Sequence, residues 1–174
     1  MKILPVLFVG SLAVLTGGAR AADTSFASRA QAMDYLRHEL PKATAANPKY
    51  LTKADSTVSQ WLTDDINFSA DGRGGIKVTM RESFTQTKDG KTTPGRHEAA
   101  FSLADVDVSE FTEAGDVTPD GAAARGVLFA CVRPECVAAL WGGQPSASDR
   151  TDISLQDDAT RARILAAFRR LQAE

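Results

Sequence analysis

Few residues in this sequence could carry chemistry: two cysteines, two histidines and scattered carboxylates. Cys131 and Cys136 enclose Val132-Arg133-Pro134-Glu135. Apolar, strand-like runs flank them, Val127 to Ala130 before and Val137 to Trp141 after, and Pro134 favours a turn between. The pattern predicts a β-hairpin clipped at its neck. Directly opposed strand residues stand about 4.5–5.5 Å apart at Cβ, close to what a disulfide needs. Closing so short a loop contributes about 2 kcal/mol. A redox pair would instead carry Cys-x-x-Cys at a helix start, where the dipole lowers a thiol pKa. Zinc would need more than two cysteines and two distant histidines at recognisable spacing. On this reading the chain uses no cofactor and no metal.

His38 falls near the end of the first expected helix, and His97 opens a strand after Gly95-Arg96. Neither stands by a serine or cysteine in a nucleophile motif. The sequence contains no G-x-S-x-G, no H-E-x-x-H and no P-loop. Asp64-Asp65 would work as an acid–base pair only in a loop, because neighbours in a strand point to opposite faces. A turn explains them more simply. Trp61 and Trp141 read as core or hairpin packing. The most unusual charge feature is Asp105, Asp107, Glu110, Glu113, Asp116 and Asp120, with no lysine or arginine among them. It reads first as a solvated loop. A surface that steers a basic partner is a second reading. Calcium is a third, although the spacing is not that of an EF-hand loop.

The ends of the chain point to a compartment. Met1-Lys2 is a short basic start, and Ile3 to Leu15 is almost wholly apolar. Thr16-Gly17-Gly18 breaks that run, and Ala19-Arg20-Ala21 completes the order of a secretory signal peptide, cleaved after Ala21. The apolar run stops short of the roughly 20 residues a bilayer span needs, and no later stretch approaches that length. No cysteine near the cut offers a lipid-anchor site, and no twin arginine precedes the run. Residues 22–174 are therefore expected to form one soluble domain, periplasmic or secreted, where a disulfide would persist. The net charge is −2, and cleavage would take Lys2 and Arg20 with it, deepening the acidic balance. That leaves no electrostatic footprint for nucleic acid or anionic lipid.

Around these residues the periodicity predicts the elements that hold them. Ser28-x-x-Gln31 is a capping-box pattern opening a helix from Arg29 to about Glu39, ended by Pro41. Lys42 to Asp55 reads as a connection. Two short strands, Thr57–Leu62 and Ile66–Ser69, are expected around a Thr63-Asp64-Asp65 turn. Asp71 to Gly75 is a turn signal, after which Ile76, Val78 and Met80 alternate with polar residues toward Phe84. Lys88-Asp89-Gly90-Lys91 is a further turn, with its connection running past Pro94-Gly95. Glu98 to Leu103 forms the return strand, followed by a short strand at Val106–Val108 and a loop from Glu110 to Gly121. After the clipped hairpin, Gly142 to Ser146 opens a polar loop and Thr151–Leu155 is the last strand. Asp157 and Asp158 suit the positive start of a final helix. Its apolar face is Ile164, Leu165, Phe168 and Leu171, with Arg161 beside it in position to pair with the acidic stretch.

Helix, about seven mostly antiparallel strands, then helix is an α+β order. It resembles the element order of a pleckstrin-homology-like barrel, in which a C-terminal helix plugs one open end. The resemblance is topological, and no motif carries it. An open antiparallel sheet packed on two helices and a small sandwich are the other arrangements that fit. The function expected is a non-enzymatic binding domain for a protein or small ligand, of an inhibitor- or immunity-like kind. The alternatives are an envelope enzyme assembled from distant residues such as Asp64, Asp65, His38 or His97, and a calcium-dependent module.

Overall fold

The computed structural model describes residues 25–46, 48–52, 57–117 and 123–173. The expected signal peptide, Met1 to Ala21, lies outside them, as does Asp120.

The fold is α+β. Helix α1 (Arg29–Ala46) leads into β1 (Lys49–Thr52), β2 (Val58–Ala70), β3 (Ile76–Lys88) and β4 (Lys91–Ser102). A single 3₁₀ turn (Leu103–Asp105) precedes β5 (Val106–Val117), β6 (Ala123–Cys131), β7 (Val137–Trp141), β8 (Gln144–Ser148) and β9 (Arg150–Ser154), and α2 (Asp158–Gln172) closes the chain. The strands form two antiparallel sheets, ordered β1-β2-β3-β4-β7-β8 and β5-β6-β9. These pairings describe two sheets joined by a bend, with more strands than the seven expected. Among the described residues no helix is long and apolar enough to cross a membrane.

Helix α1 starts as its sequence predicts. Ser28 Oγ accepts from the Gln31 N–H at 3.1 Å, and Gln31 Oε1 accepts from the Ala27 N–H at 2.9 Å. It does not stop at Pro41, which sits inside it. An interior proline costs about 3 kcal/mol. Here Leu36, Leu40 and Thr44 are buried, and the Thr44 hydroxyl accepts from the Thr63 N–H of β2 at 3.2 Å. Tertiary packing thus carries the helix through the breaker to Ala46.

The two strands expected at 57–69 are one. Thr63 pairs with Glu82 and Asp65 with Arg81, so Asp64 is the extra residue of a β-bulge and not the middle of a turn. The bulge resets the alternation, putting Trp61 and Thr63 before it and Ile66 and Phe68 after it on the same inner face. Pro94-Gly95 also lies within a strand, opposite Thr85 and Phe84. Beyond His97 the β7 ladder has ended, so β4 is an edge strand where a proline is tolerated. Gly95 is required there, since a Cβ would lie 2.2 Å from Cζ of Phe84.

Three further expectations give way. The acidic stretch is mostly strand β5, because Val106 and Val108 alternate inward while Asp107 points out. The cysteine flanks do not pair with each other. β6 belongs to the smaller sheet and β7 to the larger, so the Cys131–Cys136 disulfide (Cα–Cα 5.6 Å) clips a crossing between sheets and not a hairpin. Two apolar runs around a turn look alike in sequence whether or not they become ladder partners. Finally, Gly142 (φ 55°) and Gly143 (φ 85°) make a tight turn into β8, where a loop was expected. β8 then bends at Asp149 and continues as β9 in the other sheet.

The core lies between the sheets and the helices. Phe129 meets Phe101 and Phe168 with ring centroids 4.9 and 4.8 Å away. Helix α2 supplies Ile164, Leu165, Phe168 and Leu171, and its start is capped by Asp157, which accepts from the Thr160 N–H at 2.7 Å.

Candidate functional site

The inner face of the larger sheet changes character along its length. Phe68, Val78 and Phe101 stand side by side across β2, β3 and β4, and Ile66, Met80, Ala99 and Ala139 form the next row. These rows belong to the core. The following row is Thr63, Glu82, His97 and Trp141, and the one after it is Trp61, Phe84 and Gly95. Aliphatic packing gives way to an acid, an imidazole and two indoles.

A cavity of about 480 Å³ opens over this part of the sheet. Small-molecule sites span about 300–1,000 Å³. Thr63, Glu82, His97 and Trp141 line it from the sheet, and Ser148, Arg150 and Asp152 line it from the β8–β9 bend. Both tryptophans of the chain border it.

His97 and Glu82 are direct cross-strand neighbours, with Nδ1 2.7 Å from Oε2 and side chains only 9 % and 11 % exposed. An ionised carboxylate can only accept, so the Nδ1–H donates to Glu82. That bond fixes the ring and leaves Nε2 as the nitrogen that can exchange a proton with a bound molecule. Aromatic rings hold the pair from the sides. Trp141 lies over His97 (centroids 4.2 Å, 36° between planes), and Trp61 meets the same imidazole edge-on at 6.0 Å. Phe84 stacks on Trp61 at 4.4 Å, and the two indoles stand 84° apart. Trp141 keeps 45 % of its surface exposed, so of the core or hairpin packing expected for it the core is excluded, and it stands at the β7–β8 hairpin. Trp61 Nε1 is buried with no hydrogen-bond partner among the described residues.

The disulfide steadies the cavity wall. Cys136 adjoins Val137, a lining residue. The Cys131 N–H donates to Asp149 O at 2.8 Å, and the Glu135 N–H donates to Asp149 Oδ1 at 2.7 Å. The stapled crossing is thereby tied to the β8–β9 bend, which forms the far wall.

Most residues singled out by sequence lie elsewhere. His38 is exposed on α1. Asp64 accepts from Ser83 Oγ at 2.8 Å, and Asp65 lies 3.8 Å from Arg81, neither of them in the cavity. The acidic stretch acquires partners from distant segments. Asp105 binds Arg73 and, at 3.2 Å, Arg133. The Arg73 bond, helped by Arg133, holds its carboxyl below the ordinary range. Glu110 is 3.7 Å from the buried Arg161, the pairing that the α2 pattern indicated. Asp107 is exposed, and Glu113 and Asp116 lie in the far half of β5. Among the described residues no three His, Cys, Asp or Glu side chains converge to hold a metal ion.

Of the expected candidates among the described residues, His97 is the one that reaches the cavity. Glu82, Trp61 and Trp141 were not anticipated as its companions. A signal for Glu82 exists: it stands in the inward register of Val78, Met80 and Phe84, where an acid is out of place. Trp61 and Trp141 join it only through pairings that no local pattern encodes. In comparisons with known proteins, no family model, no curated protein and no solved structure matches this chain.

Proposed function

We propose that this chain is an exported protein that binds a small organic molecule in the cavity beside His97. The single observation that carries the reading is the Glu82–His97 pair set among Trp61, Phe84 and Trp141 in a concave, half-polar space. Apolar walls with a few convergent polar groups are the usual composition of ligand sites. Export is supported by the signal-type leader, and the disulfide fits an oxidising compartment. The compartment is periplasmic in a two-membrane host or extracellular otherwise.

A second reading has one specific observation behind it. A carboxylate that orients an imidazole is half of an acid–base machine, so a bound molecule could also be turned over. Binding is the primary reading because no nucleophile motif accompanies the pair.

The test uses the protein purified after expression of the full chain. Both tryptophans border the cavity, so their emission reports on it directly. A small-molecule library should yield compounds that shift this emission saturably and lose the effect in Trp141→Ala. Binders unaffected by Trp141→Ala and by His97→Ala would place binding elsewhere and overturn the proposal. Turnover abolished by His97→Ala with binding intact would decide for the enzyme.

A further inference from the structure

We infer that the cavity selects a compact organic cation, such as a quaternary or primary ammonium group. This rests on the cavity being a ligand site, and it names the chemistry of what that site takes. Three observations converge. The first is the angle between the indoles: Trp61 and Trp141 stand at 84° with centroids 5.4 Å apart, and Trp141 is almost half exposed. The two indoles brace each other edge-to-face, and the exposed part of Trp141 offers electron-rich ring surface that attracts a cation through its quadrupole.

The second is the charge at the wall. With a neutral imidazole donating its Nδ1–H, the Glu82–His97 pair carries one negative charge. That carboxylate is largely withdrawn from water, which strengthens its attraction for a cation. The third is the opposite wall. Arg150 is the cation among the lining residues, and it shares its face of β9 with Asp152, two positions on. The lining thus sets one guanidinium, Arg150, against two carboxylates, Glu82 and Asp152, an acidic excess. An anionic ligand would meet both carboxylates against the single guanidinium of Arg150. A neutral one would gain at most a hydrogen bond from a carboxylate, without the attraction between opposite charges.

The probes are choline and its uncharged isostere 3,3-dimethylbutan-1-ol, titrated at pH 8 with tryptophan emission as the readout. Choline should bind at least tenfold more tightly than the isostere. Glu82→Gln should bring the two to parity, with its fold checked by circular dichroism. Trp141→Ala changes a half-exposed rim residue and should abolish the choline signal without unfolding the chain. Equal affinity for both probes would sink the cation preference and leave the cavity as a ligand site. The cation preference fails in the same way if only uncharged or anionic library compounds bind and do so through Trp141. If no compound of any charge binds there, both this inference and the proposed function fail.

Discussion

Asp71, in the turn before β3, and Glu82, within β3, are both acids whose side chains are withdrawn from solvent, and their surroundings differ in kind. The Asp71 side chain is 4 % exposed and accepts three hydrogen bonds, from Ser102 Oγ at 2.7 Å, the Arg73 N–H at 2.7 Å and the Gly75 N–H at 2.8 Å. The Ser102 bond above all, with the backbone donors, holds its carboxyl below the ordinary range. Arg73 then crosses to Asp105, which also takes Arg133. Every charge in that group answers another, and the loop between β2 and β3 is pinned. Among the described residues Glu82 has one partner, His97, although a carboxylate can accept about four hydrogen bonds. Next to it are a half-exposed indole, an orphaned indole N–H and open volume. A saturated polar group holds a fold together. An unsaturated one beside a cavity is what a fold tolerates at a site meant for something else.

The largest expected break in this contrast comes from acid. Asp71, Asp105, Asp157 and Asp158 all have carboxyls below the ordinary range, through Ser102, Arg73, Thr160 and Arg161 respectively. A depressed folded-state pKa means the unfolded chain binds more protons. Stability from these groups is therefore present above the unfolded value, about pH 3.9, and lost as pH falls through the lower folded values. Urea midpoints of the wild type and Asp71→Asn should differ fully at pH 6. They should converge below about pH 4. A gap that persists unchanged at pH 2.5 would mean that Asp71 does not act through its charge.

Next in size is the staple. Replacing Cys131 and Cys136 together by serine should cost about 2 kcal/mol, lowering Tm by about 4–8 °C. The damage should fall on the cavity and spare the Asp71 loop. The β8–β9 bend leans on the stapled crossing directly through Asp149, whereas the Asp71 loop meets it at one remove, through Asp105, which accepts from the Val132 N–H at 2.9 Å and from Arg133 at 3.2 Å. Tryptophan emission of the folded double variant should shift to the red as Trp141 gains water. The acid convergence of Asp71→Asn should be unchanged in that background. An unaltered emission spectrum would separate the disulfide from the cavity.

The two regions were also unequally legible in sequence. The Asp71 loop is local: Asp71-Gly72-Arg73-Gly74-Gly75 spells a turn, and Gly72 (φ 79°) and Gly74 (φ 88°) take the left-handed conformations that turn needs. The α2 start at Asp157 is local in the same way. The α+β class follows from such signals. The cavity is not local. His97, Glu82, Trp61 and Trp141 are joined by three successive strand pairings, and the bulge at Asp64 decides which side Trp61 faces. An acidic pair in mid-strand resembles a turn to any reading based on residue type. The cysteine flanks mislead for the same reason, since partner choice among strands is a tertiary property.

The smallest effect probes the contrast most finely. Trp61→Phe removes the buried N–H that has no partner among the described residues and keeps an aromatic ring to stack on Phe84. An unsatisfied buried donor costs about 1–3 kcal/mol, and losing part of the indole surface costs about 1–2 kcal/mol. The two nearly cancel, so the stability change should stay below about 1 kcal/mol in either direction. A Tm shift of no more than about 2–4 °C checks this. Ligand affinity should fall all the same, because the indole that braces Trp141 edge-to-face is reduced. A loss of about 3 kcal/mol or more would mean that the Trp61 N–H is bonded in solution. The contrast between a saturated group at Asp71 and an unsaturated one at Glu82 would then narrow to the volume of the cavity alone.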